Sequence, residues 1–306
     1  MNLGFHWPSA EERDLFARDG YLVVPDALTR DEVDALSVAV DRQRRIDGVD
    51  DAHDYHRLDI LGLDDAFVEL VDNPRVLAKV SGFLGWNIWV NHTHCNARPR
   101  DVSSEGYRYR WHIDGGALGT DLQYKVPLTA IKVGFYLTDL TERNQGQTYV
   151  VPGSHLEIRK ALDEVTSSTL LPDNAVPLMI RAGSAVLFQQ GTLHSGASPN
   201  LTGPTRKAVF VQWAYRWLFP VDGMSLGNLE TRVTDPIRRQ MLGFEPDRPA
   251  AQLSSRYYPS SNDVPLESRL CREVGLLRLC DLGPATTRDV TRRLFKSRSA
   301  SSREDS

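Results

Sequence analysis

A series of short, strongly β-type segments after residue 85 is the feature that most constrains the fold of this chain. These segments are rich in Val, Ile, Thr and aromatic residues, and clusters of Gly, Pro, Asn and Ser separate them. They lie near 87–98, 106–113, 129–139, 147–151, 184–189 and 206–216, and a short apolar segment at 21–24 precedes them. Because no long helical pattern intervenes, the sequence predicts a mainly β fold, either a barrel or a sandwich.

Helices are predicted ahead of this β region. Ser9 begins a capping box that leads into a short helix ending near Gly20, and Thr29 begins a second capping box. A third helix is expected to start at Asn73–Pro74 and to end at Gly85. The predicted fold class is therefore mainly β with flanking helices.

Composition and charge exclude several classes of protein. The chain has 306 residues, of which 41% are apolar and 25% charged, and its net charge is −4; these values are ordinary for a soluble globular protein. No basic cluster indicates a nucleic-acid surface, and no run approaches the ~20 apolar residues of a membrane span. The three cysteines lack CxxC spacing and no secretory signal precedes the first helix, so we expect a cytoplasmic protein.

One domain is expected to account for most of the chain. We predict a single domain over 1–295, with a C-terminal extension that begins at about 225. Residues 296–306 are rich in Ser and charged side chains and are expected to form a disordered tail. The expected partner is a small-molecule substrate rather than nucleic acid or a membrane, and the sequence makes no prediction about the oligomeric state.

The strongest chemical signal is the sequence Trp111-His-Ile-Asp114, followed by two glycines. Residues two apart in a strand project to the same face, so His112 and Asp114 would point into one cavity. Far downstream, His194 offers a second imidazole after a glycine-bearing strand end. Two imidazoles and one carboxylate are the set that holds ferrous iron on one face and leaves the other open. A lone His or HxD pair is usually structural, but this combination predicts the iron site of an oxygenase.

Three further side chains are candidates for binding an anionic co-substrate. Arg206 follows His194, and the planar fork of arginine suits a carboxylate because it makes two parallel charge-assisted hydrogen bonds. Lys132 lies inside an apolar strand, where an unpaired ammonium is costly, so it either contacts an anion or lays its stem along the surface with its charge in water. Asn96, in an earlier strand, is a weaker candidate of the same kind.

Other histidines must also be considered as possible functional residues. His92 and His94 also have strand spacing, but no acidic residue follows them before Asp101. We interpret them as residues of a cavity wall or core rather than as metal ligands. His155, in a Pro-Gly-Ser-His turn, is expected to be structural.

Taken together, these motifs resemble those of the phytanoyl-CoA dioxygenase-like members of the Fe(II)/2-oxoglutarate-dependent oxygenases. The resemblance covers roughly residues 15 to 220. It is carried by Asp19-Gly-Tyr-Leu-Val-Val-Pro25, Trp111-His-Ile-Asp-Gly-Gly116, Lys132-Val-Gly-Phe-Tyr-Leu-Thr-Asp139, Gly146, Val150-Val-Pro-Gly-Ser-His155, His194-Ser-Gly-Ala-Ser-Pro-Asn200 and Arg206.

The resemblance implies a double-stranded β-helix core, the jelly roll of cupin-like proteins, with helices packed on the larger sheet. It also implies iron on His112, Asp114 and His194 and a 2-oxoglutarate carboxylate on Arg206. Halogenases of this class lack the carboxylate ligand, so the intact Asp114 argues against halogenation. Some relatives place a hydroxyl two residues after the second histidine, where this chain has Gly196, which leaves its other co-substrate contacts open.

The expected function is oxidation of an unactivated C–H bond of a small molecule, most simply hydroxylation, coupled to conversion of 2-oxoglutarate and O2 to succinate and CO2. Specialised metabolism is the expected setting. Desaturation, epoxidation and oxidative ring closure are open alternatives at the same site. A jelly-roll metalloenzyme that does not use 2-oxoglutarate and a non-catalytic binding protein are the remaining alternatives.

Overall fold

The computed structural model describes residues 6–101, 103, 105, 107, 109–114, 127–158, 171–196, 198–244 and 266. The chain divides into two compact units, Met1–Pro246 and Asp247–Ser306. The helices and strands given below belong to the first unit. The tail expected at 296–306 lies outside the described residues, and the extension expected from about 225 stays a prediction.

The helices begin and end where their capping residues indicate. They are α1 (Ala10–Asp19), α2 (Arg30–Ile46), α3 (Asp65–Val68), α4 (Pro74–Leu84), α5 (Leu229–Arg232) and α6 (Pro236–Met241). Ser9 and Thr29 form the two predicted capping boxes, and the Asn73 side chain accepts hydrogen bonds from the first turn of α4. Gly20 and Gly85 end α1 and α4 with φ of 80° and 82°. No helix in this part of the chain is long and apolar enough to cross a membrane.

Every predicted β segment contains a strand. The strands are β1 (Tyr21–Val24), β2 (Tyr55–Leu58), β3 (Ile88–Arg98), β4 (Trp111–His112), β5 (Ala130–Tyr136), β6 (Tyr149–Val150), β7 (Val176–Pro177), β8 (Ala185–Gln189), β9 (His194–Ser195) and β10 (Arg206–Tyr215). Residues 106 and 108 of the segment expected at 106–113 lie outside the described residues. The sequence did not predict β2, β7 or β9, because they are short and lack an alternating apolar pattern.

The strands form two antiparallel sheets. The larger has the order β1-β8-β5-β10-β3-β2 and the smaller the order β4-β9-β6-β7. A cluster of buried side chains from β5, β8 and β10 includes Val150 of β6, so apolar residues of both sheets share one core. Helices α2 and α4 contact strands of the larger sheet. This is the expected jelly-roll core with helices packed on its larger sheet.

The pairing of β3 with β10 fixes which side chains share the inner face of the larger sheet. Phe210 pairs with His94, and Gln212 pairs with His92. Beyond Gln212 the register shifts, because Asn91 is an extra residue in β3 without a partner in β10. On the opposite face, the Trp213 indole N–H donates to the Val71 carbonyl at 3.2 Å, which ties the sheet to the chain just before α4.

Candidate metal centre and co-substrate site

The two short strands β4 and β9 bring the predicted ligand residues together. His112 is the pairing partner of His194, and their ring centroids lie 4.2 Å apart. Asp114 follows two residues after His112. One ligand atom from each of these three side chains lies within 4.8 Å of the others, and among the described residues this is the one such group that could hold a metal ion.

Hydrogen bonds to the backbone set the tautomer of both imidazoles. Nδ1 of His112 lies 2.9 Å from the Arg110 carbonyl oxygen, and Nδ1 of His194 lies 2.9 Å from the Thr192 carbonyl oxygen. A carbonyl can only accept, so each Nδ1 carries the proton and donates it. Each Nε2 is therefore left with a lone pair, which is the arrangement in which histidine binds a metal.

Asp114 is buried, and its two carboxylate oxygens have different surroundings. Its side chain is 5% exposed, and Oδ1 accepts a hydrogen bond from the Lys132 ammonium. Oδ2 lies 3.9 Å from Nε2 of His194 and has no hydrogen-bond partner in the described part of the chain. Burial alone would raise the pKa of Asp114, but Lys132 and His194 outweigh it and lower the pKa. An ionised, unpartnered oxygen beside two free Nε2 atoms fits a divalent cation.

His194 is held neutral by its surroundings. Burial lowers the pKa of His194 to about 4, although the Asp114 charge opposes this shift and the neighbouring His112 adds to it. A metal ligand must offer an unprotonated nitrogen, and at neutral pH His194 does so without competition from protons.

Arg206 is a buried cation without a carboxylate partner among the described residues. It is 1% exposed, and its guanidinium donates to Asn96 Oδ1 at 2.6 Å and to Thr148 Oγ1 at 3.2 Å. It also stacks over the ring of Tyr136 at 5.3 Å. Burial lowers the pKa of Arg206, while the interaction with Tyr136 opposes that shift. Because a buried, unpaired charge is costly, such a guanidinium is typical of an anion-binding site.

Lys132 and Asn96, the two weaker candidates, also point into this region. The Lys132 side chain is 12% exposed and its ammonium binds Asp114, so the alternative of a solvated surface lysine is wrong. Asn96 binds Arg206 rather than standing free. One cavity of about 1140 Å³ has all six predicted site residues in its wall: Asn96, His112, Asp114, Lys132, His194 and Arg206.

Sequence reasoning missed Thr148. Its hydroxyl binds Arg206, accepts from the Tyr136 hydroxyl at 2.9 Å and donates to the Gly196 carbonyl at 3.2 Å. A Cβ placed on Gly196 would meet nothing within 4 Å. Thr148 supplies a hydroxyl to the same cavity wall that contains Gly196. Nothing in the local sequence marks Thr148, because its role depends on the pairing of β6 with β9.

The other histidines lie where the sequence analysis expected. His92 and His94 are in the wall of the same cavity and are not part of the metal group. His155 is buried in a single 3₁₀ turn, with Nε2 3.1 Å from the Ala17 carbonyl oxygen, which is a structural role.

A family model described as phytanoyl-CoA dioxygenase (PhyH) matches residues 16–208. The chain belongs to this family. This PhyH-family protein is a 2-oxoglutarate-dependent non-haem iron dioxygenase, and its cofactor and co-substrates are Fe(II), 2-oxoglutarate and O2.

Ectoine dioxygenases are among the similar curated proteins. The one from Bordetella parapertussis is 25% identical over 244 residues, which is 66% of this chain and 74% of the relative. The one from Stutzerimonas stutzeri is 24% identical over 238 residues, which is 66% of this chain and 75% of the relative.

Solved structures share the fold of this PhyH-family protein at low sequence identity. HygX from Streptomyces hygroscopicus, with nickel and 2-oxoglutarate bound, superposes with a TM-score of 0.57 at 18% identity and covers 70% of this chain and 90% of its own. SnoK, a non-haem α-ketoglutarate-dependent carbocyclase from nogalamycin biosynthesis, gives 0.56 at 20% identity with coverage of 74% and 91%. EctD from S. alaskensis, with bound Fe, gives 0.54 at 21% identity with coverage of 72% and 83%.

Proposed function

We propose that this oxygenase hydroxylates an unactivated C–H bond of a small molecule, with His112, Asp114 and His194 as its three iron ligands. The observation that carries the proposal is the convergence of their ligand atoms within 4.8 Å. Both imidazoles keep Nε2 free, and Asp114 offers one unpartnered oxygen, so these three side chains would hold a metal and would leave its remaining positions to the co-substrates.

Arg206 is the proposed partner of the distal carboxylate of 2-oxoglutarate. Asn96 and Thr148 accept hydrogen bonds from its two terminal nitrogens, and Nε has no partner in the described part of the chain. Lys132 completes the proposed set, since an ammonium has three N–H donors and one of them binds Asp114. The other donors can meet a carboxylate of the co-substrate. A dianion placed between Lys132 and Arg206 would give Arg206 the carboxylate partner that it lacks among the described residues.

In the proposed reaction, the protein orients the reactants and keeps water out. When bound together, iron, 2-oxoglutarate and O2 supply the oxidant that attacks the C–H bond, and succinate and CO2 are released. The backbone carbonyls of Arg110 and Thr192 hold the two imidazoles in one orientation. Lys132 fixes the Asp114 carboxylate so that Oδ2 faces the metal position. Phe188 stacks against His194 at 5.3 Å and covers one side of the site.

An anaerobic titration tests the metal and co-substrate sites. The parent protein with Fe(II) and 2-oxoglutarate should develop a metal-to-ligand charge-transfer band, and a His112→Ala variant should not. An exposed histidine provides the matched control: His53 has a side chain that is 76% exposed, and His53→Gln should keep the parent band. A parent protein that binds Fe(II) but gives no band with 2-oxoglutarate would contradict the proposal.

We further propose that the substrate belongs to specialised metabolism. The names of similar proteins support this setting: one group of relatives is named after the small molecule ectoine, and SnoK comes from nogalamycin biosynthesis. Mass spectrometry of the product separates two groups of reactions: hydroxylation and epoxidation add one oxygen atom, whereas desaturation and ring closure remove two hydrogens. A product without added oxygen would contradict hydroxylation while leaving the iron site intact.

A further inference from the structure

A cluster of three histidines forms a second polar wall of the cavity that contains the metal group. His56 lies on β2, and His92 and His94 lie on β3. The ring centroids of His56 and His94 are 4.9 Å apart, and those of His92 and His94 are 5.2 Å apart. All three side chains border the cavity. We call His56, His92 and His94 the histidine wall.

The histidine wall is not a metal site. Nδ1 of His94 lies 3.2 Å from Nε2 of His92, so these two nitrogens are hydrogen-bonded to each other. A nitrogen that shares a proton with its neighbour has no lone pair left for a metal. Within the described residues, the geometric criterion for a metal group is met only by His112, Asp114 and His194.

A distant carboxylate sets the direction of this hydrogen bond. The Asp222 side chain is 2% exposed, and it accepts from the Thr93 N–H at 2.7 Å and from the Met224 N–H at 3.1 Å. Burial would raise the pKa of Asp222, but its interaction with His92 and its hydrogen bonds from Thr93 and Met224 outweigh burial and lower the pKa. Asp222 is therefore an ionised acceptor, buried behind His92.

The charge of Asp222 places the protons along the chain of rings. Nδ1 of His92 faces Asp222 Oδ2 at 3.2 Å, off the ideal line for a hydrogen bond, and has no other partner among the described residues. Two lone pairs would repel at this distance, so Nδ1 of His92 carries a proton. Its Nε2 then accepts the Nδ1 proton of His94. The Nε2 atom of His94 is left as an acceptor with a lone pair.

His94 is neutral and held in one orientation. Burial, together with the charge of Lys132 and the neighbouring His92, holds the pKa of His94 well below its usual range. Its ring stacks on Phe210 with centroids 4.4 Å apart and planes 8° apart. The side chain lies deep in the protein but keeps surface that is accessible from the cavity. Nε2 of His94 is therefore a hydrogen-bond acceptor on a neutral ring with a fixed orientation.

The proposed function assigns the two buried cations of the cavity, Arg206 and Lys132, to the co-substrate. Arg206 binds Asn96 and Thr148, and Lys132 binds Asp114. The cavity volume of about 1140 Å³ exceeds the roughly 300–1,000 Å³ of most small-molecule sites, which leaves room for a substrate beside a co-substrate. A substrate that buries a hydroxyl or N–H group can hydrogen-bond to His94, whereas a carboxylate or phosphate would place acceptor against acceptor.

We propose that His94, oriented by Asp222 through His92, is a substrate-contacting residue that selects small molecules with a buried hydroxyl or amine N–H donor. His56, an exposed side chain beside His94 in the cavity wall, provides a second contact, and His92 and Asp222 are positioning residues. This inference rests on the proposed oxygenase function, because it assigns the histidine wall to the substrate of that reaction.

The proton positions can be measured without any substrate. Long-range proton–nitrogen correlation spectra of the full chain with ¹⁵N-labelled histidine, recorded with and without Zn(II), report which ring nitrogen of His94 carries the proton. We expect a neutral ring protonated at Nδ1. The Asp222→Asn variant should show a mixture of the two neutral forms. A His94 ring protonated at Nε2, or at both nitrogens at neutral pH, would overturn the inference even if the iron site behaves as proposed.

The substrate preference is tested with matched pairs of compounds. The panel contains alcohols, polyols and amines, each paired with its fully O- or N-methylated analogue, and a set of carboxylates; the readout is kcat/KM for stimulated succinate release. In the parent and in His53→Gln, methylation should lower kcat/KM at least about 100-fold, because a site built to bind a donor rejects the analogue that lacks it. In His94→Phe, which keeps a flat ring on Phe210, the difference should fall below about 10-fold.

Two results of the panel would overturn the inference. One is a panel in which no alcohol, polyol or amine stimulates succinate release, and the other is an equal methylation ratio in the parent and in His94→Phe. The charge-transfer band, recorded in the same samples, separates the two proposals: its absence from the parent contradicts the oxygenase site, whereas its presence with either result contradicts the role of His94 alone.

Discussion

The metal group and the histidine wall use the same residue type but orient it in different ways. His112 and His194 each donate Nδ1–H to a carbonyl two residues earlier in the chain. His92 and His94 instead take their orientation from Asp222, whose chain position is about 130 residues away. The orientation of the two candidate metal ligands is thus local, whereas that of the histidine wall depends on the fold.

The largest expected effect comes from removing the carboxylate of the metal group. Asp114→Ala leaves two imidazoles beside the Lys132 ammonium, which would repel a divalent cation. We expect loss of the charge-transfer band and a fall in succinate release of at least about 1,000-fold. Asp14→Ala, at an exposed site in α1, is the matched control. An Asp114→Ala protein that is folded and still forms the band would show that Asp114 is not a ligand and that the metal site is assigned wrongly.

Removing the guanidinium of Arg206 should have the next largest effect. Arg206→Met deletes the proposed contact to the distal carboxylate, and truncation of one partner of a buried charge pair costs about 2–5 kcal/mol. The Kd for 2-oxoglutarate should therefore rise about 30- to 3,000-fold. Arg206→Lys keeps the positive charge but loses the planar guanidinium, so its Kd for 2-oxoglutarate should lie between those of the parent and Arg206→Met. A titration of the charge-transfer band measures both values, and an unchanged Kd in Arg206→Met would place the co-substrate elsewhere.

A smaller effect is expected at Thr148, which supports the guanidinium without carrying charge. Thr148→Val has nearly the same volume but loses the hydroxyl that binds Arg206, Tyr136 and Gly196. We expect a loss of about 1–2 kcal/mol in 2-oxoglutarate binding, which corresponds to a Kd about 5- to 30-fold higher. The methylation ratio of the substrate panel should not change. If that ratio changed and the Kd did not, Thr148 would belong to the substrate side of the cavity.

The smallest expected effect is on how the free energy of unfolding depends on pH. It allows a direct comparison of the metal group with the histidine wall. Each region holds a buried neutral histidine whose pKa is lowered, His194 to about 4 from 6.5 and His94 in the same direction. As the pH falls below 6.5, the unfolded chain takes up protons first, so the free energy of unfolding decreases. Each histidine should contribute about 1–2 kcal/mol to this decrease between about pH 6.5 and pH 5.

Urea denaturation of the metal-free full chain measures this decrease. His94→Phe and His194→Gln should each flatten the profile. Zn(II) should alter the profile of His94→Phe, which keeps the metal group, but not that of His194→Gln. The same response to Zn(II) in both variants would contradict the assignment of the two histidines to separate sites.

Most of the fold could be predicted because its signals are local. The capping residues Ser9, Thr29 and Asn73 mark three helix starts, and every predicted β segment contains a strand. The two-residue strands β7 and β9 could not be found from periodicity, because two residues give no alternation and no predicted β segment contains them. They exist because a neighbouring strand supplies hydrogen bonds, as Ser195 shows by pairing with both Trp111 and Tyr149.

The candidate site was predictable to a similar extent. His112, Asp114, His194 and Arg206 have types and spacing that point to iron and a carboxylate, and they lie in the wall of one cavity. For Lys132 the sequence left two alternatives, which differ only in what surrounds the ammonium, and burial next to Asp114 decides between them. Thr148 and Asp222 gave no signal, because a threonine before a strand and an aspartate after one are common.

The sequence alone therefore determined the predicted chemistry of this protein: three candidate ligands of suitable type, the arginine that follows them, and a β-rich chain able to bring them together. The tertiary structure decided which atoms of these side chains are free. It bound one oxygen of Asp114 to Lys132, left Arg206 buried without a carboxylate among the described residues, and joined His94 to Asp222 through His92. The physical reason is that these properties differ in how much of the chain they involve. The type of a ligand is a property of one residue, whereas burial and hydrogen bonds between distant strands exist only after the two sheets have packed.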